Sequence, residues 1–162
     1  MQTSEFKDFM ACVPTCVAVV TTLVYDEIRG CTISSLTSFD IENPGVMIVL
    51  KSHSKTLAAI RKSGNFVASI LNQNQVTIAK QFSSREKDSL VEKIELFDFK
   101  YLPSMPFLKS CQGAVFCELE KIVELDNASL VFGRVITLLN SGDNSPLLYF
   151  KRGYFALGNS SI

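Results

Sequence analysis

Two stretches of this chain carry side chains in patterns that suit chemistry. Cys31-Thr32-Ile33-Ser34-Ser35-Leu36-Thr37-Ser38-Phe39 is β-branched and apolar enough for a strand, yet Thr32 to Ser38 holds five hydroxyls in seven residues. A buried hydroxyl without a partner costs roughly 1–3 kcal/mol, so a strand that only filled a core would seldom carry so many. The stretch suits an edge strand with a wet face, or a strand lying against something polar and flat. The second stretch is Ser52-His53-Ser54-Lys55-Thr56. Ser54 is a natural N-cap for a following helix. The first turn of that helix offers unpaired N–H groups and a positive dipole end, with Lys51, Lys55 and the hydroxyls of Ser52 and Thr56 around it. That set suits a phosphate, although a capped helix with solvated lysines needs the same residues.

Other patterns are weaker. Ser52-x-x-Lys55 matches the nucleophile motif of serine β-lactamases, but the companion Ser-Asp-Asn and Lys-Thr-Gly motifs are missing. His53 is the single histidine and the only candidate base for a cysteine nucleophile. Gln81-Phe82-Ser83 ends a predicted helix, where Phe82 either reaches a ligand or packs in the core; packing is the commoner role. Tyr149 to Tyr154 mixes aromatics and cations, as a cross-strand pair or a dimer surface would.

The elements that must position these residues follow from periodicity. Ser4 to Ala11 is a short predicted helix capped by Ser4, with Phe6, Phe9 and Met10 on one face. Cys16 to Tyr25 is a predicted strand, Asp26 to Gly30 a turn, and Cys31 to Phe39 its hairpin partner. Asn43-Pro44-Gly45 turns the chain into Val46 to Leu50, an apolar run suited to a strand buried on both faces. A helix over Lys55 to Lys62 should turn Leu57, Ala58 and Ile60 inward, with Gly64 just past its end. Asn65 to Leu71 is a strand and Gln73 to Phe82 a helix with Val76, Ala79 and Phe82 on its apolar side and Ile78 off it. The charged run Ser84 to Lys93 is helix or loop. Three long strands close the chain: Ala114 to Leu125, Leu130 to Leu139 and Leu147 to Leu157, with turns at Asp126-Asn127-Ala128 and Ser141 to Asn144. Many strands with a few short helices predict a mainly β fold, a closed or nearly closed antiparallel barrel with helices over its open side.

Composition narrows the function. The 162 residues suit one domain, 1–162, and the formal net charge is zero with scattered lysines and arginines, which argues against nucleic acid. Five cysteines form no C-x-x-C pair and read as reduced core residues, so no metal is expected. The longest apolar run is too short to span a bilayer, and the polar first residues lack a signal-peptide core. The expectation is a cytoplasmic protein away from membranes.

Taken in order, four features resemble the flavin reductase-like, FMN-binding split-barrel family, the reductase components of two-component flavin-dependent monooxygenases. They are the helix Phe6 to Met10 leading into Val17 to Thr22; Thr32 to Ser38, similar to the family's Thr-x-Ser-Ser-Phe-x-Ser signature with Leu36 for the aromatic; Asn43-Pro44 through Ser54-Lys55-Thr56; and Pro146 to Tyr149 followed by Gly153-Tyr154. The resemblance implies a homodimer binding FMN or FAD, with NAD(P)H as co-substrate. Thr32, Ser34, Ser35 and Leu36 would line the ring and ribityl chain, with Ser38 close by. Ser52, Ser54, Lys55 and Thr56 would hold the phosphate, and Gln81 and Phe82 would close over the flavin. Reduced flavin would serve a partner monooxygenase. Many members carry an Asp-His-Thr type turn whose His is implicated in handling the nicotinamide; here the run is Asn127-Ala128-Ser129. A methyl group cannot orient a dinucleotide or move a proton. The alternative that follows is a flavoprotein with tightly bound flavin, acting on a small organic substrate or as an electron carrier, without NAD(P)H reductase activity. No catalytic side chain is singled out.

Overall fold

The structure, a computed structural model, describes residues 2–84, 91–141 and 145–158. Most of the predicted run Ser84 to Lys93 and of the predicted turn Ser141 to Asn144 lies outside them. The chain begins with α1 (Thr3–Ala11), β1 (Thr15–Cys16), β2 (Ala18–Val24), β3 (Glu27–Ile33) and β4 (Thr37–Asp40). Next come β5 (Gly45–Lys51), α2 (Lys55–Ser63), β6 (Asn65–Ile70) and α3 (Val76–Ser83). The short pair β7 (Phe97–Asp98) and β8 (Phe107–Leu108) precedes the long strands β9 (Gly113–Glu124) and β10 (Ala128–Asn140). A hairpin of β11 (Leu147–Phe150) and β12 (Gly153–Ala156) ends the described chain.

Seven strands form one antiparallel sheet in the order β3-β2-β6-β9-β10-β5-β4. Its two edge strands, β3 and β4, are consecutive in the chain, and β3 also touches β5. The sheet therefore rolls round until its edges meet, which is the predicted nearly closed barrel. Bulges in the β9–β10 pairing, with Glu120 the extra residue on β9 and Ile136 the extra residue on β10, supply the bending that such rolling needs. Pairing of β1 with β11 adds a small three-stranded sheet outside.

The first five residues of β2 are all buried. Val17 and Val19 enter one apolar cluster, with Phe82, Phe107, Leu108 and Phe116, while Ala18 and Val20 enter another, with Ile48, Leu57, Ile60 and Phe66. Alternate residues of a strand point to opposite faces, so β2 is covered on both. Thr21 and Thr22 are also buried, and each hydroxyl has a partner: Thr21 donates to the Pro106 carbonyl at 2.6 Å and Thr22 to Ser63 Oγ at 2.7 Å.

Several predicted elements shift. Val46 to Leu50 is not buried on both faces, because Ile48 and Leu50 point into the barrel while Met47 and Val49 stay half-exposed outside. In α2 the buried residues are Thr56, Leu57, Ala59 and Ile60, so Ala59 and not Ala58 faces inward; Gly64 at φ 69° closes the helix as expected. Ile78 is half-buried against the core together with Val76. The helix predicted from Gln73 opens as a single 3₁₀ turn, Gln73–Gln75. Leu147 to Leu157 is a tight hairpin with Lys151 and Arg152 at φ 45° and 62°, so Tyr149 and Tyr154 face each other across it. Ser4 lies within α1; Gln2 and Glu5 cap that helix reciprocally, and no residue of it is buried. The two-residue turn of the first hairpin is Tyr25-Asp26, leaving Glu27 to Gly30 in β3.

Candidate functional site

The hydroxyl-rich stretch is not one strand. Its first part, to Ile33, pairs with β2, and its second part, from Thr37, pairs with β5. Between them Ser34 to Leu36 crosses the seam where the rolled sheet meets itself. A side chain bridges that seam: Ser35 Oγ accepts from the Val49 N–H at 3.0 Å and donates to the Val49 carbonyl at 3.2 Å. Thr32 Oγ1 donates to the Ala79 carbonyl at 2.7 Å, tying β3 to α3. Two of the predicted ring-lining hydroxyls thus hold the frame. Ser34 and Ser38 are exposed, and Leu36 packs partly against the barrel core. The stretch has more hydroxyls than a core strand because it changes partners within the run, a tertiary fact that periodicity does not carry.

The β5–α2 junction forms as expected. Ser54 Oγ accepts from the Leu57 N–H at 3.2 Å, and its own N–H donates to the Lys51 carbonyl at 3.0 Å. Beside this capped end lies a cavity of about 370 Å³ lined by Lys51, His53, Ser54 and Asn127. Asn127 could not be found from local sequence, because the β9–β10 turn brings it in. Ser52 is tied to that same turn: its hydroxyl donates to the Leu125 carbonyl at 3.0 Å and lies 3.0 Å from the hydroxyl of the fully buried Ser129. Ser52 therefore braces the cavity wall. Thr56 is buried on the inner face of α2, and Lys55 lies on the opposite side of the helix end, lining a second hollow with Arg29 and Lys62. Ser54 alone of the four predicted phosphate residues lines the cavity, joined there by Lys51, His53 and Asn127.

The two halves share one strand. Ser35 is bonded to Val49, and Lys51 follows two residues later, roughly 7 Å along β5. Near the seam α3 lies over β3. Gly30 permits this approach, since a Cβ there would sit 2.6 Å from the Val20 carbonyl and 3.4 Å from Phe82 Cε1. Phe82 is 1% exposed and meets Phe97 edge-on, so its ring is core and is not open to a ligand. Gln81 is different. Its Nε2 is buried with no hydrogen-bond partner among the described residues, a donor lacking an acceptor.

Burial pushes the Cys117 thiol up to about 12 and raises Cys16 and Cys111 as well, which disfavours the reactive thiolate. Among the described residues no cluster could hold a metal ion, and no helix is long and apolar enough to cross a membrane.

A flat, polar-edged ring bearing a phosphate tail fits these residues: the exposed Ser34 hydroxyl and strand-free backbone at Ser34 to Leu36, the Gln81 Nε2 group with no partner among the described residues, and a cavity with Lys51 at a capped helix start. Residues 10–158 match the family described as "Flavin reductase like domain". The chain belongs to this flavin reductase family. Among relatives, the reductase component of 4-hydroxyphenylacetate 3-monooxygenase from Thermus thermophilus is 27% identical over 92% of this chain and 93% of its own. The NADH-dependent flavin reductase StyB of Pseudomonas fluorescens is 28% identical over 92% and 86%. Among solved structures, the styrene monooxygenase flavin reductase of Pseudomonas putida S12 superposes with a TM-score of 0.84 at 25% identity, covering 96% of this chain and 99% of that one. BorF, the flavin reductase component of a bacterial tryptophan halogenase, reaches a TM-score of 0.91 at 17% identity over 98% and 100%, a likeness of fold. The mainly β split barrel expected from the sequence is thus the family fold.

Proposed function

We propose that this protein is an NAD(P)H-dependent flavin reductase that supplies reduced FMN or FAD to a partner monooxygenase. The observation that carries the reading is the Ser35–Val49 bridge, which sets the exposed hydroxyl segment beside the strand that ends in the cationic cavity. The flavin phosphate would sit against Lys51, His53, Ser54 and Asn127, where the start of α2 favours an anion. Ser34, Leu36 and Ser38 would face the ring and ribityl chain, with Thr32 and Ser35 fixing the segment behind them. The Gln81 amide would donate to a ring acceptor, satisfying a buried donor. A flavin held there would supply two-electron redox chemistry, with NAD(P)H as the hydride donor. Backbone N–H groups of Ser34 to Leu36 would steady the negative charge that develops on the ring.

The exposed apolar surface supports a homodimer. On α1, Phe6, Phe9 and Met10 are exposed, with Val13 just beyond, and Phe155 and Leu157 are exposed on the last hairpin. A surface of this kind suits a second copy of the chain.

One residue favours a second reading. Ala128 opens β10 opposite Lys51, at the edge of the cavity, and offers only a methyl group where relatives of this type often have an imidazole. That change fits a flavoprotein that keeps its flavin and ignores nicotinamide. Mixing the protein with FMN or FAD and NADH or NADPH, and following loss of the flavin absorbance, decides between them. Acceleration over the protein-free control is expected; a yellow protein that holds flavin through dialysis and ignores both nicotinamides would overturn the reductase reading.

A further inference from the structure

The second hollow, about 290 Å³, lies between α2 and the β2–β3 hairpin. Its floor is Ala58 and Ala59 of α2, and its rim carries Tyr25, Arg29, Lys55 and Lys62. Lys55, Ala58, Ala59 and Lys62 form one stripe of the helix, roughly 10 Å long. The hollow begins where the phosphate cavity ends, at the Ser54–Lys55 step. It then follows α2 alongside β3, from Arg29 to the hairpin tip at Tyr25, away from Ser34 at the other end of that strand. Hydroxyl segment, phosphate cavity and hollow are therefore linked in sequence through β5 and the start of α2.

The lining has the chemistry of a nucleotide site. Tyr25 is 86% exposed, and the Lys62 ammonium stands 5.7 Å from its ring centroid, engaging one face of the ring. The residue holds φ 49° in a two-residue turn whose next member, Asp26, has φ 62°. Glycine or asparagine is the usual choice at such positions, and a bulky aromatic there is an outlier. Exposed aromatic rings stack on nucleobases. Arg29 is paired with Glu27, and the ammonium groups of Lys55 and Lys62 also line the hollow. Two small side chains on the floor leave room for a sugar.

We propose that this groove binds the adenosine half of FAD, with the adenine on Tyr25 and the pyrophosphate passing Lys55 toward Lys62. The assignment rests on the flavin reading above and makes this chain selective for FAD over FMN. An adenosine could also arrive on NADH, and continuity with the flavin phosphate cavity favours FAD.

Isothermal titration of the intact protein with FAD, FMN and ADP separately tests it. Wild type should hold FAD about tenfold tighter than FMN, the scale of one base stacked on an aromatic ring. Tyr25→Gly, which suits the turn backbone, and Lys62→Met should each bring FAD down toward FMN and leave FMN unchanged. Tyr25→Phe should keep the preference. Equal affinity for FAD and FMN in wild type, or a Tyr25→Gly loss shared by both flavins, would overturn the proposal. So would a raised KM for NADH in Tyr25→Gly with FAD binding intact, because the groove would then serve the nicotinamide cofactor. ADP alone reads the groove without the ring site: Tyr25-dependent ADP binding in a protein that binds no FMN would remove the flavin reading and leave an adenosine site here.

Discussion

Ser35 and Val49 are joined twice, by an N–H···O bond at 3.0 Å into the serine hydroxyl and an O–H···O bond at 3.2 Å out of it. One hydroxyl thus stands in for a rung of the ladder at the place where the rolled sheet meets itself. Ser35→Ala leaves both Val49 groups short of a partner in a half-buried setting. The variant should lose about 1–3 kcal/mol of stability, measured by urea denaturation, and its flavin affinity should fall with it. Ser34→Ala, by contrast, should leave the denaturation midpoint in place while weakening flavin binding. Equal midpoints for Ser35→Ala and wild type would remove the bridge from the account.

The cationic cavity makes a second prediction. Lys51→Ala and His53→Ala should weaken FMN, which carries a phosphate, and leave riboflavin, which does not, unchanged. Fluorescence titration of both ligands reads the difference. For Lys51→Ala the loss should shrink as salt rises, because the Lys51 ammonium lines an open cavity where screening acts. Equal losses for FMN and riboflavin would place the phosphate elsewhere.

Much of this arrangement was legible in the sequence, and what was missed has a common cause. The Ser54 cap and the Gly64 stop rest on neighbours in the chain and are legible there; the first hairpin is legible as a hairpin, with its turn and the extent of β3 shifted. The role of Ser35 depends on Val49 across the seam. Asn127 reaches the cavity through the β9–β10 turn, and the buried Ser129 of β10 meets the Ser52 hydroxyl behind the cavity wall. Phe82 is fixed as core by Phe97 and Gly30. Those assignments need the fold before they can be made. Ala58 and Ala59 exchanged places because two adjacent alanines give periodicity nothing to choose between.

Gly30→Ala should destabilise the protein by about 1–3 kcal/mol, the range for overpacking. The new methyl would meet the Val20 carbonyl at 2.6 Å, a backbone atom that no rotamer change can move aside, and Thr21 Cγ2 at 3.0 Å. The strain falls where α3 crosses β3, so a lower thermal midpoint should come with weaker flavin binding. An unchanged midpoint would show that β2 and β3 can separate freely at this point.

The thiols predict an alkaline limit. Burial holds Cys117 up to about 12 against an ordinary value of 9.0. Below 9.0 the thiol is neutral in both folded and unfolded chains and has no effect on the pH dependence. Above it the unfolded chain releases a proton that the folded one retains, so stability falls as pH rises toward about 12. Denaturation midpoints for wild type should drop more steeply across that window than those for Cys117→Ala. Parallel slopes would contradict this. In the native protein near neutral pH a thiol reagent should label the exposed Cys12 first, with Cys111 and Cys117 following only on unfolding.

The exposed face of α1 has a thermodynamic consequence. A helix of nine residues is too short to be stable alone in water. Within one copy it is held by the ion pair between Arg152 and Asp8 and by the Lys151 N–H on the Ala11 carbonyl at 2.7 Å, with Phe9 still 70% exposed. If a second copy covers that face, mass action governs the helix: dilution below the dissociation constant of the dimer would unwind the first turns of the chain while the barrel stayed folded.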